Sequence, residues 1–422
     1  MHELLPQLWH GLLVFVVDYP LLMAWVWMAL ALVFVFRRER QERWLPSPPP
    51  VADPRPPVSV LIPCFNEGET LADTLRHALA LHWPELEVIG INDGSSDDTG
   101  AQLEAWARVE PRLRVVHLAA NQGKAMALRT GALLARHELL VCIDGDALLD
   151  PEAVGWLVRH FERDPRLGAV TGNPRIRNRT TLLGRVQVGE FAAIIGLIKR
   201  AQSTLGGLFT VSGVIAAFRR SALQDVGFWS TDMLTEDIAI TWSLQRAGWH
   251  VAYEPHALVW ILMPETLRGL WKQRLRWAEG GVQVLLAHGD LLLQPRQWRL
   301  WPFLIEPLLS LVWAQSVVLL VAGWLLTHLV FGASPRDLAA PLLPSAGAHL
   351  LGLTCLLQGA VSLWLDRPYD RGLARNAFWM VWYPAVFWLL TLSTSVVALP
   401  RVLRRGRGVR ARWVSPDRGV RV

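Results

Sequence analysis

Leu139-Leu140-Val141-Cys142-Ile143-Asp144-Gly145-Asp146 decides how this chain is read. Five apolar residues form a short run, and two carboxylates one residue apart follow at once. A run of that length bounded by turn residues reads as a buried strand. Upstream, residues 58–62 form a similar run ending at Pro63, and residues 86–91 another ending in Asn92-Asp93-Gly94. Residues 113–118 read as a further strand. Residues 67–80, a stretch from about Asp98, and residues 122–136 carry helical spacing between the strands. Strands alternating with helices predict a mostly parallel α/β sheet covered on both faces. Polar residues gather where the strands end, the edge at which open α/β sheets bind ligands. No G-x-G-x-x-G follows the first strand, Gly206-Gly207 comes too late to serve, and Gly123-Lys124 is followed by Ala125 rather than Ser or Thr. Dinucleotide-dependent and P-loop readings thereby lose their main support.

Outside this region the composition changes. The chain of 422 residues is 52% hydrophobic and 18% charged, against about 25% charged in a typical globular domain. Its mean hydropathy is +0.27. These values exclude a disordered chain and argue against a wholly soluble one. The 18 uncharged residues 19–36 are followed by Arg37, Arg38 and Arg40. At 1.5 Å per residue they reach roughly 27 Å, enough to cross the hydrocarbon core. Positive charge after the apolar run marks a retained anchor whose C-terminal end is cytoplasmic, not a cleaved signal. Residues 4–17, followed by Asp18, read as an interfacial segment or the stub of another helix. Residues 307–331, 346–365 and 376–400 are three more uncharged runs long enough to span. Three spans would leave the tail outside, yet residues 401–422 carry eight Arg and one Asp. The charge argues for inside, which makes 376–400, with Pro384, a re-entrant candidate. Residues 46–57 hold seven prolines, a stiff linker. Cys64, Cys142 and Cys355 are too few and too dispersed for a disulfide framework or metal motif. The net charge of +6 suits nucleic acid, anionic lipid or a phosphorylated substrate. Of 42 basic residues only Lys124, Lys199 and Lys272 are lysines.

Four constellations carry chemistry. Asp144-x-Asp146 at a strand end can share a divalent cation with substrate phosphates, or is a solvated acidic turn. Asp93 can bond a base or ribose, or cap its turn. In Thr235-Glu236-Asp237, Asp237 falls near a helix start, either as a favourable first-turn acid or as a general base on an acceptor hydroxyl. Gln273, Arg276 and Trp277, at i, i+3 and i+4, share one helix face. An amide, a cation and a large ring suit a pyrophosphate and a sugar, while the same residues would also make a snorkelling interfacial helix.

In this order, between flanking membrane helices, these pieces resemble the processive family 2 glycosyltransferases. Ile62-Pro63-Cys64-Phe65-Asn66-Glu67, Asn121-Gln122-Gly123-Lys124-Ala125, residues 141–150, 169–176, 211–223 and 260–277, and Arg410-Ala411-Arg412-Trp413-Val414-Ser415-Pro416-Asp417-Arg418-Gly419 narrow the likeness. They resemble the branch that joins N-acetylglucosamine through β-1,6 bonds into a biofilm exopolysaccharide. Hyaluronan, chitin or cellulose synthesis is the alternative. A transporter with a nucleotide-binding regulatory domain lacks the mid-membrane charges it would need.

The resemblance implies a GT-A domain over 58–290 with an interfacial helix near 266–288. The flanking parts are an anchor (1–45), the linker (46–57), a C-terminal membrane region (291–400) and the tail (401–422). It implies a bacterial inner-membrane protein with its catalytic domain in the cytoplasm. The donor is UDP-N-acetylglucosamine and the cofactor Mg²⁺ or Mn²⁺. Asp144 and Asp146 hold the metal, with Asp146 the more direct ligand. Asp93 holds the uridine and Asp237 is the base. Glu67, Lys124, Asp144, Gln273, Arg274, Arg276 and Trp277 bind substrate, Lys124 at the UDP phosphates. The growing polysaccharide, membrane lipid, a small membrane partner subunit and cyclic di-GMP complete the expected partners, with no nucleic-acid polymer. The Arg-rich tail, through Arg410, Arg412 and Arg418, reads either as part of the cyclic di-GMP site or as a topology signal. Relatives of this kind carry two N-terminal spans, so the first is expected to be missing or reduced here.

Overall fold

The computed structural model of the chain describes residues 4–48, 54–331, 346–370, 372–405 and 408–411. It opens with one long helix, α1 (Leu4–Phe34), continued by a π-helical turn, Val35–Glu39. This corrects the expectation that residues 4–17 stand apart from the anchor. Asp18 lies on an exposed side of α1, so its charge need not be buried, and Pro20 is accommodated inside the helix.

The apolar runs become strands. β1 (Val58–Cys64), β2 (Leu86–Asn92), β3 (Leu113–His117) and β4 (Leu139–Ile143) pair in parallel in the order β3-β2-β1-β4. Helices α2 (Leu71–Leu79), α3 (Thr99–Ala107) and α4 (Lys124–Leu134) connect them. Alternate residues feed two cores. Val58, Val60, Ile62 and Cys64 enter one with Val88 and Val141, and Leu61 enters the other with Ile89, Ile91 and Cys142. A strand buried on both faces has no polar face, which is why these runs are continuously apolar. Cys64 and Cys142 serve as small core residues.

The second half of the domain has a different pattern. β5 (Leu148–Leu149), α5 (Ala153–Arg163) and β6 (Leu167–Ile176) lead into α6 (Leu182–Phe191), a π turn (Ala192–Leu197) and α7 (Ile198–Thr204). Then come β7 (Ile215–Arg219), α8 (Arg220–Asp225), α9 (Glu236–Arg246) and β8 (His250–Ile261). The eight-stranded sheet runs β3-β2-β1-β4-β7-β6-β8-β5. Pairings β4–β7, β6–β7 and β5–β8 are antiparallel, whereas β6–β8 is parallel. The sheet is therefore mixed, and mostly parallel.

After the sheet come α10 (Leu267–His288), α11 (Trp301–Phe331), α12 (Ala346–Asp366), a 3₁₀ helix (Leu373–Val381) and α13 (Tyr383–Arg404). Among the described residues four helical stretches are long and apolar enough to cross a membrane: Gln7–Glu39, Pro295–Leu326, Ala346–Asp366 and Val386–Arg404. A buried ionic cluster joins two of them to the catalytic domain. Arg200 of α7 pairs with Glu39 after α1 and with Asp366 at the end of α12, at 2.7 Å each. Arg175 of β6 reaches Asp366 at 2.8 Å, and the Tyr369 hydroxyl donates to Glu39 at 2.6 Å. The far end of α13 also meets the catalytic domain. Arg401 pairs with Glu279 of α10 at 3.2 Å, and the Ala411 N–H donates to the Thr231 carbonyl at 2.9 Å. Both ends of residues 367–411 thus lie against that domain.

Candidate active site

Asp144 and Asp146 follow β4 in a tight turn. The Ala147 N–H donates to the Asp144 carbonyl at 3.1 Å, and Thr74 of α2 donates to the Gly145 carbonyl at 2.9 Å. Glu67 is buried beneath this turn, close to Gly145, and accepts the Thr70 hydroxyl at 3.2 Å. Burial and the neighbouring Asp144 charge push the Asp146 carboxyl up to about 7. Two hard oxygen donors on a buried turn, one residue apart, fit a divalent cation. No cluster of three or more metal-ligating side chains occurs among the described residues. Two carboxylates alone would leave phosphate and water oxygens to complete a coordination shell.

Lys124 is the hub of the site. It sits in the first turn of α4, after Gly123, whose φ of +91° is the glycine region. Its ammonium lies 2.5 Å from Asp144 Oδ1 and 2.9 Å from Glu236 Oε1, and donates to the Gly213 carbonyl at 3.0 Å. One cation therefore links the Asp144-x-Asp146 turn to the start of α9, where Glu236 lies 112 residues after Lys124. With these three groups around it, Lys124 reaches a phosphate only by loosening one of them. Sequence reading singled out Lys124 but had no signal for Glu236 or Gly213 as its partners.

Asp237 lies beside this hub in the first turn of α9. Its Oδ2 accepts the Gly213 N–H at 3.1 Å. Burial, then the Glu236 charge, push its carboxyl up to about 6, against the pull of Lys124 and Arg276. Such a group is poised for proton transfer near neutral pH. Asp93 is wholly buried and accepts the Gln122 N–H at 2.7 Å and the Gly123 N–H at 2.8 Å. It holds the loop that delivers Lys124. Burial raises its pKa, partly offset by those bonds and by Arg410. Arg410 itself donates to Gln122, so the tail reaches this loop. Arg412 and Arg418 lie outside the described residues.

Helix α10 closes the other wall, capped by Thr266. Arg276 is exposed, donates to the Leu234 carbonyl at 3.4 Å, and acts electrostatically on Glu236 and Asp237. Gln273 has its Oε1 buried without a hydrogen-bond partner. Trp277 packs on the main core with the Arg274 guanidinium 4.1 Å from its ring centre. Arg274 turns away from Arg276 into a buried 2.6 Å pair with Glu190 of α6. Sequence reasoning placed Arg274 with the substrate-binding residues and missed Glu190. It also missed Gly280, where a Cβ would overlap Thr235 Oγ1. That close approach seats α10 on the Thr235-Glu236-Asp237 turn.

The fold and this arrangement define a glycosyltransferase. The description "Glycosyltransferase like family 2" matches residues 54–280, and the chain belongs to this family. Within it, the chain is 39% identical to the poly-β-1,6-N-acetyl-D-glucosamine synthase of Staphylococcus aureus (strain COL), over 96% of this chain and 98% of that one. It is 37% identical to the synthase of the same name from Staphylococcus epidermidis, with the same coverage. The resemblance read from the sequence is borne out. Among solved structures, the mannosyltransferase PcManGT from Pyrobaculum calidifontis, in complex with GDP-Man and Mn²⁺, aligns with a TM-score of 0.62. It covers 94% of this chain and 98% of its own at 22% identity, a likeness of GT-A fold.

Proposed function

We propose that this enzyme polymerises N-acetylglucosamine from UDP-N-acetylglucosamine into a β-1,6-linked exopolysaccharide and passes the product across the bacterial inner membrane. The observation that carries the reading is the Lys124 bridge, which joins Asp144 of the acidic turn, through one ammonium, to Glu236, the sequence neighbour of the candidate base Asp237. The names of the staphylococcal relatives supply the polymer. Asp146 and Asp144 would hold Mg²⁺ or Mn²⁺, which when bound offsets charge on the departing diphosphate. Asp237 accepts the proton of the acceptor's 6-hydroxyl. The oxygen attacks C1, the bond from C1 to the UDP oxygen breaks, and UDP leaves with both electrons. One displacement inverts an α-linked donor to a β-linked product. Asp93, through loop 121–123, shapes the nucleotide pocket, with Glu67 beneath the acidic turn. Arg276 and Gln273 approach the pyrophosphate, and Trp277 borders the acceptor path. Arg274 contributes through its pair with Glu190.

The catalytic domain is assigned to the cytoplasm, on the charge following α1. The contacts at Asp366 and Ala411 support a re-entrant course for 367–411 and a tail on that same side. A small membrane partner and activation by cyclic di-GMP rest on the family resemblance alone. Linkage analysis of the product from purified membranes given labelled UDP-N-acetylglucosamine tests the reading. A β-1,6 polymer is expected, and a β-1,4 product, or label incorporated instead when another labelled UDP-sugar is supplied in a parallel reaction, overturns it.

A further inference from the structure

Lys199 has no place in the machinery described so far, yet its surroundings are specific. It lies on α7, 3% exposed, and donates to the Thr210 carbonyl at 2.6 Å. Residues 210–213 form a short segment tied on every side. The Val211 N–H donates to Thr241 Oγ1 at 2.8 Å, and Thr241 Oγ1 donates to the Asp237 carbonyl at 2.6 Å. The Ser212 N–H donates to Thr171 Oγ1 at 2.7 Å. The Gly213 N–H meets the Asp237 carboxylate, while the Gly213 carbonyl accepts from Lys124. Two of the chain's three lysines therefore fasten this one segment, Lys199 at its start and Lys124 at its end. The third, Lys272, is exposed. In a chain with 39 arginines, a buried single-point contact is where a compact ammonium differs most from a planar fork.

We propose that Lys199 is a positioning residue for the acceptor-activating carboxylate: it anchors residues 210–213, which orient Asp237 through Gly213. This deepens the proposed function and rests on Asp237 being the base. Burial pushes the Lys199 ammonium down to about 7, against the pull of the Asp237 charge, so Lys199 is charged below about pH 7 and there favours the ionised form of Asp237. The other groups facing Asp237 are Glu236 on its own helix, Lys124 from α4 and Arg276 from α10. Arg200, next to Lys199 in sequence, is committed to Glu39 and Asp366 and lies by Tyr253 of β8.

The test is the pH dependence of kcat in membranes carrying Lys199→Met and Lys199→Gln, with UDP binding measured in parallel. Glutamine, one atom shorter, keeps an N–H donor on the side of the Thr210 carbonyl while removing the charge, so it reads the electrostatic role even if the methionine variant fails to fold. Both are expected to bind UDP as the parent does, within about twofold, and to turn over several-fold more slowly. Both should lose activity at a pH about half a unit or more higher on the acidic side, because a nearby cation that favoured the carboxylate is gone. An acidic limb that does not move in Lys199→Gln overturns the proposal, whatever happens to kcat. Asp237→Asn run alongside separates the failures. If it retains turnover, the base assignment itself is wrong. If it is inactive while the limb of Lys199→Gln stays put, only the role of Lys199 falls.

Discussion

The two halves of the catalytic domain hold their functional residues by different means. From β1 to the Asp144-x-Asp146 turn, Asp93 and the acidic pair follow strands and are fixed through backbone groups. Asp93 binds the N–H groups of the next connecting loop, and the acidic turn is held by Thr74. From β6 onward, position is set by side chains far apart in sequence. Glu190 meets Arg274, Arg200 meets Glu39 and Asp366, and Lys124 reaches Glu236 across the halves. The second half is in addition tied to the membrane region, through Glu39 and Asp366.

The sharpest test of the division is to remove chemistry from the second half while sparing the first. Asp237→Asn is expected to lower polymer synthesis by about 10²–10⁴, the usual cost of losing a general base. UDP affinity should stay near that of the parent. Measuring both on one preparation decides it, since near-normal turnover removes Asp237 from the role of base. Next in size is the ionic cluster. Glu39→Gln leaves the buried Arg200 short of a charge, and breaking such a pair costs about 3–5 kcal/mol. The Arg112–Glu110 pair near β3 is solvent-exposed and worth about 0–1 kcal/mol. Thermal unfolding of both variants in detergent should separate them clearly. Equal losses would mean that the cluster is not what secures the membrane helices.

This division also explains what could be read from sequence. The parallel half was legible because buried strands leave continuous apolar runs and their functional ends are turn residues. Asp93, Asp144 and Asp146 stand directly after such runs. Asp237 was legible from the acidic start of α9, and the helix bearing Gln273 and Arg276 from its spacing. The partners of Lys124 were not, because nothing local marks an ion pair spanning 112 residues. Arg274 was grouped with Arg276 by closeness in sequence, yet residues two apart on a helix point about 200° apart, on nearly opposite faces. One faces the site and the other α6. The unity of α1 was hidden because an exposed Asp18 looks the same in sequence as a helix break.

Gly280→Ala probes how closely the halves of the site must fit. The added methyl collides with Thr235, so the turn bearing Glu236 and Asp237 must shift. A displacement of about 1 Å in a reacting group costs about 10²-fold in rate. Turnover should fall by that order with UDP binding little changed; a fully active variant would show the α10 contact to be dispensable. The pH profile is a milder probe. Asp237 acts as a base only when ionised, and its carboxyl is raised to about 6. The kcat of the parent should therefore fall about tenfold for each pH unit below about 6. The linkage has the opposite sign for stability. A raised carboxyl pKa means that the folded state holds the proton more tightly, so this group favours folding more as pH falls through 6 towards its ordinary value. Activity and this stability contribution should move in opposite directions, and a flat kcat from pH 5 to 7 would exclude Asp237 as the titrating base.

The smallest expected effect concerns the place where the second half reaches back to the first. Arg410 follows α13, yet its guanidinium meets Gln122 in the loop held by Asp93. The Ala411 N–H pins the tail beside it on Thr231. An exposed contact of this kind is worth about 0.2–1 kcal/mol, or up to about fivefold in an equilibrium constant. Arg410→Gln leaves seven other arginines among residues 401–422, so the charge that sets the side of the tail is nearly intact. If the tail steadies the nucleotide loop, the donor KM should rise about two- to fivefold while kcat holds. High salt should reduce the difference between parent and variant, because the contact is exposed and screened. An unchanged KM at low salt would show that the parallel half shapes its nucleotide site without the tail. Residues 401–422 would then keep only their charge, as a signal for the side of the membrane on which the tail stays.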